Sequence, residues 1–430
     1  MYSTVSSRHF QRRILYWNVL IWSIGNMLTS SIVVIFMLEV MGFTSPIVIA
    51  LAYATSYLGR IFQPLISILL KGISFRRKLC ISLYWVQVLM LWLMLGADLL
   101  PIDKNTKFWM MLICWAFSNF FESMAYTVFL SWNRLLFSGK ILGRFYSRRD
   151  LCRVLGECIT VVCLAVLAIT TYFHGKTEIP KIDCSFYEGF VFLGSLCILA
   201  SSFMLWFLPD IRYEIPRGAG DLQYQEIRRL VRPFSEKKFR PFLYYGAFFS
   251  FFIQFEQVSQ ITFQKLILSG TPLFAFIGVQ AVKLLPRIPQ LFLARPVGNL
   301  VDRYGTLNVM ICSQILTAIP LLLYAFTKQE MGWMLYIAAI LWGSYVGLNV
   351  ALPKFLLEIS DSHDDAPWMA AYGSVGNLTG FVAVFLGGFV CNYFKSFPNY
   401  FTIFFLFAFC WRVALAFPLM MAKWEKKRMG

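Results

Sequence analysis

The chain has 430 residues, of which 58% are hydrophobic and 14% charged, and it carries a formal net charge of +17. A soluble domain carries roughly a quarter charged residues, so the composition excludes an ordinary water-soluble enzyme or binding domain. The basic surplus is not that of a nucleic-acid binder, because no zinc-finger spacing or aromatic-interleaved basic module accompanies it.

Apolar stretches of about 20 residues or more recur from end to end, the length a helix needs to cross a bilayer. They fall at Ile14–Val40, Pro46–Leu70, Leu79–Leu100, Phe108–Leu135, Leu151–Phe173, Tyr187–Leu208, Pro241–Lys265, Pro272–Pro296, Leu307–Phe326, Trp333–Leu357, Trp368–Tyr393 and Asn399–Ala422. Arg8, Arg12 and Arg13 precede the first stretch as in a signal-peptide n-region. That stretch is too long for an h-region and no small-residue cleavage site follows it, so it reads as a span. The expected fold is an all-α integral membrane protein of twelve transmembrane helices.

The loops set the orientation. With both termini inside, the cytoplasmic face collects Arg76, Arg77 and Lys78, then Arg144, Arg148, Arg149 and Arg153, then the basic central segment and Lys423, Lys426 and Lys427. The other face holds a thin scatter such as Lys104, Lys107 and Lys328. The positive-inside rule therefore predicts a multi-pass protein of the plasma (inner) membrane with cytoplasmic termini.

The longest polar stretch, residues 209–240, divides the chain into an N-terminal half (1–208) and a C-terminal half (241–430), each with six spans. Gln223–Val231 within it has the pattern of a short basic amphipathic helix; a solvated linker is the alternative. The cysteines lie mostly in or beside apolar spans and suggest neither a disulfide framework nor a metal site. No cofactor is expected, and the absence of GxxxxGK[ST] removes ATP as the direct energy source.

The halves echo one another. The second span reads Leu58-Gly59-Arg60-Ile61-Phe62-Gln63 and the eighth reads Leu285-Pro286-Arg287-Ile288-Pro289-Gln290. Internal repeats of this kind are a property of secondary transporters. The loop after the eighth span, Gly298-Asn299-Leu300-Val301-Asp302-Arg303-Tyr304-Gly305, is similar to the GxxxDRxGRR loop of the major facilitator superfamily. Gly143-Arg144-Phe145-Tyr146-Ser147-Arg148-Arg149 resembles the RGRFF-x-RR stretch of a broad bacterial branch of that superfamily. The first-half loop, Lys71–Lys78, keeps only the basic tail. The resemblance implies two pseudo-symmetric six-helix bundles around a central cavity lined by spans one, four, seven and ten, working by alternating access.

Charges within spans are costly, about 2.5–3.5 kcal/mol each at mid-bilayer on insertion scales, and mark functional positions. The candidate substrate-binding residues are Arg60, Glu122, Glu256, Gln257, Lys283 and Arg287, with Asn26 and Asn349 as neutral partners. A structural reading pairs Arg60 with Glu122 and Arg287 with Glu157 or Glu256. Arg412, in the twelfth span, is expected to be peripheral and to snorkel. A surplus of cations favours an organic anion as substrate, and Glu122 or Glu256 is the candidate proton carrier. The resemblance also implies a cytoplasmic gate. Asp302 would meet Arg148, Arg149 and Arg153, and the basic Arg76 and Arg77 would meet Asp364 and Asp365 before the eleventh span. The expected partners are a small solute, membrane lipid and a proton or other ion. An exporter of a neutral or amphipathic compound, and a transporter-like sensor or lipid-handling protein, are the alternatives. The scattered His9, His174 and His363 offer no enzyme active site.

Overall fold

The computed structural model describes residues 5–62, 75–136, 139–174, 184–210, 232–236, 239–269, 272–359 and 366–421, and these are helical with short connections and contain no strand. Seven helical segments among them are long and apolar enough to cross a membrane by length and composition. The chain divides into two compact units. One comprises Met1–Thr44 with Leu51–Tyr224, the other Ser45–Ala50 with Gln225–Gly430.

The first unit contains α1 (Val5–Leu28), α2 (Ser31–Val40), most of α3 (Pro46–Ile61), α4 (Arg76–Leu99), α5 (Lys104–Leu136), α6 (Gly139–His174) and α7 (Cys184–Met204). The first apolar stretch is not one helix as expected. It breaks at Thr29 and Ser30, where Ser30 is extended (ψ 159°) and the Thr29 hydroxyl donates back to the Gly25 carbonyl at 3.0 Å. Such local side-chain bonds compete with the helix ladder. Glycine allows α1 to approach α7 closely: a Cβ on Gly25 would stand 2.6 Å from the Gly194 carbonyl oxygen. Asn18 donates to the Ser201 carbonyl at 2.7 Å across the same contact. Indole N–H groups of Trp85 and Trp92 tie α4 to α7 through Ser202 and Ser195.

The second unit contains α8 (Arg240–Ile267), α9 (Pro272–Leu284), α10 (Arg287–Tyr304), α11 (Thr306–Leu316), α12 (Ile319–Phe326), α13 (Trp333–Leu341), α14 (Val346–Ile359), α15 (Ala366–Phe394) and α16 (Tyr400–Ala414). Three expected spans are interrupted here. Pro286 and Pro289 break the eighth between α9 and α10, and Pro320 follows the break between α11 and α12, because proline supplies no N–H to the preceding turn. The tenth narrows to a 3-10 turn at Trp342–Tyr345. The eighth and tenth breaks touch: a Cβ on Gly343 would lie 2.6 Å from the Pro289 Cβ. Gly305, at φ 84°, links α10 to α11, a left-handed conformation that suits the glycine ending the sequence motif.

Phe239, Phe242, Tyr245, Met310, Phe355 and Trp368 are among the residues that close one hydrophobic core of this unit. In the eleventh span Gly376 packs against Ser250 and Gly387 against the Phe255 backbone, while Gly373 faces open space. Outward-facing residues such as Trp17, Leu89, Phe292, Ile403 and Phe417 are exposed, as a lipid-bathed surface requires. None of the ten cysteines is in a disulfide.

Candidate functional site

Each unit carries its own polar cluster inside the helical layer. In the first unit the cluster runs along α3, α4 and α5. Close packing of Gly59 on Phe120 and Asn119 brings α3 against α5. There the Asn119 amide donates to the Trp115 carbonyl at 2.8 Å and to Thr55 Oγ1 at 3.5 Å, and Trp115 Nε1 donates to the Ala52 carbonyl at 3.2 Å. One turn along α5, Glu122 accepts from Gln87 Nε2 at 3.3 Å. The Arg60 charge acts on it, so the expected Arg60–Glu122 partnership exists as a neighbourhood rather than a direct contact. Arg60 itself is exposed.

In the second unit Glu256, on α8, forms an ion pair with Arg412 of α16, and both side chains are only 2% exposed. Arg412 also donates to the Tyr345 hydroxyl, at the 3-10 turn of the tenth span. Its guanidinium lies 5.6 Å from the Tyr345 ring and 6.0 Å from Phe249. Gln314 Nε2 donates to the Arg412 carbonyl at 3.0 Å, and Gln314 Oε1 accepts from the Tyr245 hydroxyl at 3.0 Å.

Arg412 is thus a correction to the sequence reading, which placed it at the periphery. Its side chain is held inward because Glu256, Tyr345 and two aromatic faces satisfy it there, so snorkelling to water gains nothing. The same pairing replaces the partners considered for Arg287. Glu157 bonds to Arg153 of its own helix at 3.2 Å, and Arg287 donates to Gln290 at 3.1 Å. An arginine in mid-span was itself the available signal; Tyr345 and Gln314 gave none.

The other candidates lie on several helices. Gln257 is half-buried beside Glu256, Lys283 is exposed on the last turn of α9, Asn26 is half-buried on α1 next to Gly25, and Asn349 is exposed on α14.

Among the gate candidates, Asp302 pairs with Lys354 within the second unit. Arg153 pairs with Asp150 at 2.8 Å, and Arg149 lies over the Phe129 ring at 4.8 Å. Arg148 is exposed. Arg76 is buried. Arg77 donates to the Trp206 and Leu208 carbonyls at 3.2 and 2.6 Å, where it caps the chain leaving α7. Asp364, Asp365 and the Gln223–Val231 segment lie outside the described residues.

On the opposite side of the first unit, Asp98, Cys184 and Glu188 bring donor atoms within 4.8 Å of one another. Lys107 already pairs with Asp98 at 3.5 Å, so a cation balances this cluster.

The sequence model described as Major Facilitator Superfamily matches residues 284–428. The nucleoside transporter NupG, in a mutant form, superposes with a TM-score of 0.71 at 14% identity, covering 96% of this chain and 99% of that one. A D-xylose–proton symporter gives 0.68 at 13% identity, with 95% and 96% covered. The fucose:proton symporter FucP of E. coli gives 0.60 at 14% identity, with 95% and 98% covered. No curated protein sequence matches the chain. The chain thus matches the Major Facilitator Superfamily model over its last third, and its fold is similar to that of these solved transporters over nearly its whole length.

Proposed function

We propose that this protein is a secondary active transporter that moves a small organic anion by alternating access. Residues 1–208 and 241–430 are the two moving halves, 209–240 is their cytoplasmic connection, and both termini are cytoplasmic in the plasma membrane. The observation that carries the anion reading is the closed Glu256–Arg412 pair. Arg412 pairs with Glu256 within the same unit, so a fourth cation joins Arg60, Lys283 and Arg287 in the count against the carboxylates Glu122 and Glu256. In the other unit Arg60 stands against Glu122. The charge balance of the candidate residues therefore shifts further toward cations, which favours an anionic cargo in a low-dielectric site. Arginine suits it, since its planar fork binds carboxylate or phosphate through two parallel bonds.

Glu122 and Glu256 are the proposed proton-coupling groups. The solved structures of similar fold named as a D-xylose–proton and a fucose:proton symporter support this reading. Uptake of a panel of labelled organic anions into proteoliposomes, with and without an inward proton gradient, tests it. Arg60→Gln and Arg287→Gln should each lower anion uptake at least tenfold, and Glu122→Gln or Glu256→Gln should remove the response to the gradient. Unchanged uptake in both arginine variants overturns the anion assignment.

A further inference from the structure

The cations of the first unit are not all answered by acids. Arg153 holds both Asp150 and Glu157, and the charge acting on Glu122 is that of Arg60. Arg149, near the cytoplasmic end of α6, makes a different kind of contact. Its guanidinium lies 4.8 Å from the Phe129 ring centroid and 6.0 Å from that of Tyr126. Its Nε is buried with no hydrogen-bond partner. A guanidinium laid on aromatic faces is partly desolvated but keeps its donors.

The surface beneath it is a single helix face. Glu122, Tyr126, Phe129 and Asn133 follow one another along α5 at spacings of three or four residues, so they stack in one row. Tyr84 of α4 lies within electrostatic reach of Arg149, Tyr126 and Glu122. At the end of the row, one turn beyond Phe129, Asn133 is 0% exposed and neither its amide oxygen nor its amide nitrogen has a partner. Buried side-chain amides are nearly always bonded, and this one stands one helical turn from the ring on which Arg149 is stacked.

We infer that Arg149 and Asn133 form a subsite for an oxyanion that still carries a proton, of the phosphate-monoester type. The guanidinium fork and the Asn133 Nδ2 donate to the anionic oxygens, and the P–O–H group donates to Asn133 Oδ1. A carboxylate or sulfate supplies no such donor, so the asparagine oxygen selects the protonated phosphate. This inference deepens the anion-transport reading and rests on it, by naming the class of anion. It also moves Arg149 from the cytoplasmic gate to the cargo path. The same chemistry is offered by free phosphate, by a soluble phosphate monoester and by the headgroup of phosphatidic acid.

The test is binding, measured on the full-length protein in detergent by thermal unfolding as phosphate or sulfate replaces chloride at constant ionic strength. Phosphate should raise the melting temperature saturably, and sulfate should do so at least tenfold less effectively. Arg149→Gln and Asn133→Ala should each shift the phosphate midpoint at least tenfold. Arg149→Lys, which keeps the charge without the fork, should shift it less and serves if the glutamine variant fails to fold. The exposed Lys328→Gln matches the charge change and should leave the midpoint in place. A second arm compares nanodiscs of phosphatidylcholine with and without phosphatidic acid. Stabilisation only in that arm, lost in Arg149→Gln, assigns the subsite to lipid. Equal responses of the parent and Arg149→Gln in both arms overturn the subsite, and equal responses to phosphate and sulfate overturn its protonated ligand. Neither readout needs flux, so lost uptake with retained phosphate binding counts against the transport reading alone.

Discussion

At the scale of single residues, the buried pair of Glu256 and Arg412 is the firmest polar feature of the second unit. Removing one member leaves the other charged and buried, which costs far more than losing a surface pair. Arg412→Ala is expected to destabilise the protein by about 3–5 kcal/mol, read from denaturant unfolding in detergent. The double variant Glu256→Gln with Arg412→Gln should recover much of that loss, because no unpaired charge remains. A double variant as unstable as the single would show that Arg412 acts through packing against Phe249 and Tyr345 instead. The sequence disclosed that Arg412 sits in a span, as it did for Glu256, Glu122 and Arg60. It did not disclose that α16 turns the guanidinium onto α8, since that depends on the rotation of two helices far apart in the chain.

At the scale of elements, the helices obey signals of different reach. Asp103 precedes α5 and caps it: its carboxylate accepts from the Thr106 N–H at 2.9 Å and from the Thr106 hydroxyl at 2.6 Å. These bonds hold the Asp103 carboxyl below the ordinary carboxylate range. Its folded pKa is depressed, so its contribution to stability is complete above the unfolded value and is lost as pH falls through the folded one. Asp103→Ala should lower the melting temperature at neutral pH, Asp103→Asn should lower it less, and the difference between parent and alanine variant should fade as the solution is acidified.

The α1–α7 crossing depends on paired glycines instead. Gly194→Val, whose Cβ would stand 2.8 Å from the Gly25 carbonyl oxygen, should cost about 1–3 kcal/mol by forcing the helices apart, measurable in the same unfolding assay. The cap and the proline breaks have local causes in Asp103, Pro286 and Pro320, although hydropathy alone reads the eighth and ninth stretches as unbroken spans. The break at Thr29 and Ser30 and the turn at Trp342–Tyr345 carry no proline and stayed hidden inside long apolar runs.

For the molecule as a whole, the proposed gate makes a separable prediction. Asp302 is bonded to Lys354 in its own unit, so reversing its charge disturbs that pair as well as any contact with Arg148 or Arg153. Asp302→Lys should shift the population toward the inward-open state, read by the accessibility of introduced cysteines. Adding Lys354→Asp rebuilds the local pair with exchanged charges; if the shift then vanishes, the gate lies in that pair and not in a clamp across the halves. The chain by itself determined that it is a helical membrane protein, because hydrocarbon thickness and the cost of unpaired backbone leave long apolar runs no other fold. It also showed which spans carry charge. Only the tertiary structure decided how those charges are paired, because pairing inside a bundle is set by which helix faces meet, and contacts such as Glu256 to Arg412 join residues that no local spacing relates.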